Sequence, residues 1–475
     1  MIEARQVADL GFARLGLPVP MAKLVTIQSL GSALSTPSSE IFVEAMARWL
    51  GSRDLESECL EALCALLVTP VHSKHVARLR QAIPKPSIAS DLIFSLVMDN
   101  QTLVPSWTGC HSGPVPSLLK LDKEMQELAS GEFIPPVFGN SLESLEERTN
   151  FPFSRQWAFE YSVLRDRAAN ANEGYLAHFL ESGRDHVGQF VTRRGHLARS
   201  AYLRTLACAA DHWEMPADAA LHFARNALPA DPIFLRIAPH VPPAWASSVH
   251  AQATLPSGPE SLVLSTIQQI EANLKQRIMH CSLPVIDTPL QHAELEIFAV
   301  ARTLEELDAQ HVVNFYRKPH VEYAPARDGL HALIPMRIEV EEGNRMPFLP
   351  VVMPILGDSL GYLQFHFLQR SPYLPLATAS FPELRFLPGE SKFNLRSDGK
   401  VVGSWQWWLW NWSPGQPRGW PAPIATCTQV TREAEISIEN DLRARLDYVW
   451  CINAWSRESD HGKWKKTSHY GHIRR

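Results

Sequence analysis

The chain has 475 residues, 45% of them apolar and 20% charged, with a formal net charge of -5. That length accommodates two to four domains with cores of their own, and the composition excludes the disordered and collagenous classes. The slight acidic excess excludes a global pull toward nucleic acid or anionic membrane, so any such affinity must come from a local patch.

The opening "MIEARQVADLGF" lacks the basic-then-apolar layout of a signal peptide. The longest apolar stretch, "LEALCALLVTPV" at 60–71, falls short of the about 20 residues that span a bilayer. A cytoplasmic protein without membrane contact is the expectation. Seven scattered cysteines, with no C-x-x-C pair, point to reduced and mostly buried thiols.

The first hundred residues read as closely spaced helices. "MAKLVTIQSLGSAL" (21–34) is followed by "PSSEIFVEAMARWLG" (37–51), with Pro37 in a first turn and Gly51 past the end. Next come "SRDLESECLEALCALLV", "SKHVARLRQAI" and "SIASDLIFSLVMD"; in the first of these Leu55, Cys59, Leu63, Leu66 and Leu67 recur at helical spacing. Such short connections suit a bundle or a HEAT-like solenoid.

From 101 to 117, "QTLVPSWTGCHSGPVPS" predicts a linker or long loop. Helices resume with "LLKLDKEMQELAS", "SRQWAFEYSVLRDRAA", "GHLARSAYLRTLACAADHW" and "MPADAALHFARNAL". A proline-rich stretch over 229–258 precedes a last helix, "PESLVLSTIQQIEANLKQRIM" (259–279).

After about 281 the period changes from 3.6 to 2, as half-buried strands require. "ELEIFAVAR", "MRIEVE", "FLPVVMPIL", "YLQFHFL", "LRFLPG" and "KFNLRSDGKVVGSWQWWLW" read as strands, the last with a hairpin turn at Ser397-Asp398-Gly399-Lys400. "NDLRARLDYVWCINAW" fits helix or strand. The expected class is α+β, an all-helical N-terminal scaffold followed by a mainly antiparallel β-rich domain. The expected divisions are 1–104, 118–280 and 281–475, the last ending in a basic tail.

Nine of the fourteen tryptophans lie in 405–464, and "VVGSWQWWLWNWSP" (401–414) holds five of them. Trp405 and Trp407 share one strand face, and Trp408, Trp410 and Trp412 the other; a bulge near 407–408 would gather all five on one side. The favoured reading makes most of them core, with Trp410, Trp412 or Trp420 left accessible to a partner.

Gly357-Asp358-Ser359-Leu360-Gly361 fits the G-x-S-x-G nucleophile elbow, and its letters resemble the GDSL box of a lipase and esterase family. The resemblance stops there. That family carries its box early and an Asp-x-x-His late, whereas Asp308 and His311 precede Ser359 here. Asp460 and His461 follow in Ser-Asp-His order. Leu363, Phe365 and Phe367 alternate with polar residues, so a strand should follow the serine and make the motif a hairpin turn. Glu390 and Lys392 resemble the end of a metal-dependent nuclease site, with Asp358 its nearest second carboxylate. His72 and His75 lack a third ligand, and no metal or cofactor is expected.

Two basic stretches remain. "RDHVGQFVTRRGHLARSAYLR" (184–204) places Arg193, Arg194, Arg199 and Arg204 near a helix start, where arginine forks suit phosphate. "HGKWKKTSHYGHIRR" (461–475) holds Lys463, Lys465, Lys466, Arg474 and Arg475 with Trp464 and Tyr470 interleaved, and reads as a flexible tail suited to single-stranded nucleic acid. The sequence therefore favours a non-enzymatic interaction protein with other protein subunits as partners and DNA or RNA as a further candidate. The expected setting is a bacterial multi-subunit assembly such as a phage-defence system. A serine hydrolase at Ser359 is the alternative, and a metal-dependent nuclease stands third.

Overall fold

The computed structural model describes residues 4–17, 20–37, 39–98, 103–120, 136–167, 193–235, 242–250, 255, 258–303, 307–317, 323–325, 332–335, 348–354, 363, 373–376, 379–380, 384–388, 392–409 and 424–475. Helices dominate the N-terminal half and an antiparallel sheet the C-terminal half, the α+β class that the sequence predicts. No described helix is long and apolar enough to cross a membrane. The chain forms two compact units, Met1–Arg236 with Asp358–Phe367, and Ile237–Gly357 with Leu368–Arg475.

The first unit comprises α1 (Ala4–Ala13), α2 (Pro20–Leu34), α3 (Ser39–Gly51), α4 (Glu56–Leu63), α5 (Ser73–Gln81), α6 (Ile88–Val97), α7 (Pro136–Thr149), α8 (Phe153–Arg167), α9 (Arg193–His212), α10 (Ala217–Ala224) and α11 (Pro232–Leu235). Local chemistry sets several ends. Ser87 and Ser90 form a reciprocal capping box at the start of α6. His72 Nδ1 accepts from the Lys74 N–H at the start of α5, which gives that histidine a capping role. Both helical stretches of the sequence meet in this unit, because α9 packs against α4, α8 and α10.

The predicted loop is present over 103–120 and is fastened by acceptors on the helices. Asp91 accepts from the Ser106 N–H at 2.7 Å, Asp211 from Gly109 at 2.7 Å, Glu160 from Ser112 at 2.7 Å and Gln156 Oε1 from Val115 at 2.7 Å.

The second unit holds α12 (Ala244–His250), α13 (Pro259–Leu274), α14 (Ala309–Arg317) and α15 (Arg432–Leu442). Its strands are β1 (Arg277–Asp287), β2 (Gln291–Arg302), β3 (Tyr323–Pro325), β4 (Ala332–Pro335), β5 (Phe348–Pro350), β6 (Val352–Pro354), β7 (Tyr373–Pro375), β8 (Leu384–Pro388), β9 (Phe393–Ser397), β10 (Lys400–Leu409), β11 (Ile424–Val430), β12 (Leu446–Ser456) and β13 (Lys465–Ile473). The large sheet runs β13-β12-β2-β1-β11-β10-β9-β8-β4-β3, with β5 beside β2; β6 and β7 pair separately.

Two expectations change here. The helix read through Met279 stops at Leu274, because Lys275 turns left-handed at φ 52°, and Arg277 opens β1. β1 is buried along nearly its whole length, so it shows no alternation for a period-2 reading to find. The predicted basic tail is also a strand, β13, in register with β12 from Tyr448↔Ile473 to Ser456↔Lys465.

The turn between β9 and β10 is as expected, with Asp398 at φ 47° and Gly399 at φ 75°, a pair of positive values that matches strand twist. The β10–β11 register runs unbroken from Gly403↔Val430 to Leu409↔Ile424, so no bulge gathers the tryptophans. Trp405, Trp407 and Trp408 are all buried, Trp405 completely. Trp408 meets Trp245 of α12 edge-on at 5.4 Å, while Trp405 and Trp407 share the opposite face at 6.3 Å between rings. Gly403 is required beside them, since a Cβ there would stand 2.2 Å from Gln429 O. Trp410, Trp412 and Trp420 lie outside the described residues.

Candidate nucleic-acid interface

The sheet ends on β13, and among the described residues no strand pairs with its outer side. Its residues from Lys465 to His469 are exposed, as are Lys463 and Trp464 just before it. The positive charge lies over rings. The Arg457 guanidinium sits 4.7 Å from the Trp464 ring centroid, and Lys466 Nζ sits 5.4 Å from that of Trp455. Lys465 reaches the exposed Glu458 at 2.8 Å, a pair that solvent screens.

Inward of β13 the same face turns polar. Directly paired residues share a face, so Lys466, Trp455 and His292 form one cross-strand row, and Ser468, Asn453 and Glu294 form the next. Ser468 Oγ donates to Asn453 Oδ1 at 2.8 Å.

The two arginines at the end of the chain divide. Arg474 is exposed. Arg475 is turned inward, paired with Glu271 at 2.6 Å and with Glu435, and it lies 4.6 Å over the Tyr448 ring. It fastens β13 to α13 and α15 and is unsuited to a ligand.

The second basic stretch is corrected more completely. Arg199 and Arg204 are buried in the first unit. Arg204 Nε donates to Glu56 Oε1 at 2.8 Å, and Glu160 stands 3.9 Å from its Nη1. Arg193 pairs with Glu58 at 2.6 Å. The side chain of Arg194 lies outside the described residues. Helix α9 packs against α4, α8 and α10, and its Arg193 and Arg204 are paired with carboxylates of the same unit, which leaves those two arginines unsuited to a phosphate.

Sequence reasoning missed what these charges surround. Ser57 Oγ contacts His196 Nδ1 at 2.9 Å, and Glu61 Oε1 stands 3.6 Å from His196 Nε2. Serine, histidine and carboxylate are the elements of an acyl-transfer site, yet Ser57 is fully buried and its hydroxyl also donates to the His196 carbonyl at 2.9 Å. The hydroxyl therefore lies between the ring nitrogen and the main-chain carbonyl of His196, away from solvent. The trio joins α4 to α9.

Despite the nearby Glu61, the imidazole pKa lies well below its ordinary 6.5, first through burial and then through Lys23, Arg199, Arg193 and Arg53. The Glu61 carboxylate is engaged by Lys23 and does not offset this. The unfolded chain therefore takes up a proton that the folded form refuses, and this contribution to stability, complete above pH 6.5, declines as pH falls below it. Urea unfolding of the full chain between pH 7 and 5 should show a decline of up to about 1.4 kcal/mol per pH unit, flattened in His196→Asn. An identical slope in the variant would assign the acid sensitivity elsewhere.

Ser359 lies outside the described residues, as do Asp358, Glu390 and the sequence between Ile355 and Tyr362. Leu363 is helical, its N–H donating to Pro229 O at 2.9 Å, which corrects the strand expected at that residue. Asp460 pairs with Arg457 at 3.4 Å and is exposed, as is His461, so these two share no buried acid–base contact. Among the described residues no group of three histidine, cysteine or acidic side chains is placed to hold a metal. All seven cysteines are free, and six are buried. Comparison with protein-family models gives no match, and comparison with curated proteins gives none either.

Proposed function

We propose that the chain is a non-enzymatic interaction protein whose second unit binds a nucleic-acid strand along β13. The observation that supports this reading is the open sheet edge carrying exposed Lys463 and Lys466 beside two rings already under cationic groups. Phosphates favour such an edge through counterion release, and indoles favour bases by stacking. Lysines on an open edge also discourage the addition of further strands, which argues against a second copy of β13 as occupant. The helical unit is read as the scaffold for other protein subunits.

DNA and RNA affinity measured against salt, for the full chain and for Lys463→Ala/Lys466→Ala, tests this. The variant should bind more weakly at every sequence, with a salt slope shallower by about one for each phosphate no longer neutralised. Equal affinities and slopes would remove β13 from the account.

A further inference from the structure

We infer that Cys281 and Cys427 are a cross-linking site, joined into a disulfide by exchange with a small-molecule disulfide such as glutathione disulfide. The two stand directly opposite each other on β1 and β11, in the interior of the large sheet. Directly paired residues of antiparallel strands lie about 4.5–5.5 Å apart at Cα, inside the range that a disulfide spans. Their side chains share a face and already meet, since the Cys281 thiol is hydrogen-bonded to Cys427. Cys427 Sγ also accepts from Gln429 Nε2 at 3.3 Å, which holds that sulfur in place.

The third cysteine of this sheet does not compete. Cys451 stands opposite Glu296 on β2, whereas Cys281 stands opposite Ile297, so Cys451 and Cys281 face opposite sides of the sheet. Cys59, Cys64, Cys110 and Cys208 belong to the first unit.

The exchange balances without a further reactant. One cysteine thiolate attacks the small disulfide and releases a first thiol; the other cysteine attacks the mixed disulfide and releases a second. Two protein thiols are oxidised while one small disulfide is reduced to two thiols, which carry away both protons. Burial sets when this happens. Both cysteines are buried, and burial, then contact with Cys427, holds the Cys281 thiol well above its ordinary pKa. The closed sheet is therefore slow to react, and the bond forms when β1 parts from β11, in folding or in local opening. Once made, it ties positions 146 residues apart and stabilises the second unit by restricting the unfolded chain.

The test refolds the full chain from urea in reduced glutathione, with or without excess glutathione disulfide, then blocks free thiols and digests without reductant. With the disulfide present, mass analysis should find the Cys281 and Cys427 peptides linked, two hydrogens lighter than the free pair. The urea midpoint of the linked form should lie about 1 M above that of the reduced form. Native protein given the same reagent should link slowly, and faster in urea below the midpoint. Cys281→Ala and Cys427→Ala should each lose the linked peptide and the redox-dependent shift. The mapping needs no variant, so it decides the matter even where one fails to refold. Peptides that stay unlinked in the parent chain, a linking rate indifferent to urea, or a midpoint shift that persists in both variants overturns the inference.

Discussion

Trp405→Ala should cost the second unit about 3–5 kcal/mol, enough to unfold a marginal domain. The indole is completely buried, with Phe393 at 5.5 Å and Trp407 at 6.3 Å between ring centres. It lies mid-sheet, opposite Phe393 on β9 and Thr428 on β11, so the cavity left by truncation has strands on both flanks and little freedom to collapse. Trp408→Ala should be comparable, because Trp408 joins the other face to Trp245 on α12. Urea unfolding of the single variants is the measurement. A Trp405→Ala midpoint equal to that of the parent would show that the ring is not part of the core.

In the first unit the largest loss should follow Glu61→Ala. Lys23 is buried, and its ammonium donates to Glu61 Oε2 and to the Leu15 carbonyl. Removing the carboxylate strands a desolvated cation, for which about 3–5 kcal/mol is the expected cost. Apolar replacement of both partners, Lys23→Met with Glu61→Leu, should recover most of that, since two desolvation penalties then vanish together. Thermal melts of the single and double variants decide the matter. If the double variant is as unstable as Glu61→Ala, the pair contributes shape and not charge balance.

The order of helices and then strands was legible because each period is written locally. The capping serines of α6, Pro259 at the start of α13 and Asp398-Gly399 at the hairpin all act within a few residues. β1 was not legible, because a strand covered on both faces carries no alternation. The arginines of α9 mislead for a different reason. Their spacing looks the same whether the helix faces solvent or Glu56 and Glu160, and those carboxylates lie 148 and 44 positions away from Arg204. The basic and aromatic letters of 461–475 are visible in the sequence itself. That they form an edge strand depends on pairing with β12, which the segment does not show alone.

The loop over 103–120 has a consequence for how this protein can vary. Four of its attachments to the helices use the loop's own peptide N–H groups, which every residue but proline supplies. Much of the information that holds the loop is therefore stored elsewhere, in Asp91, Gln156, Glu160 and Asp211. Positions such as Thr108 and Val115 can drift in sequence at little cost, whereas Ser106, His111 and Ser112 also meet Asp91, Asp211 and Glu160 with their own side chains. Gly109 and Gly113 are constrained as well, held at φ 73° and 88°. Related chains should keep the two glycines, the four acceptors and the side chains of Ser106, His111 and Ser112 that reach them, while the other letters change.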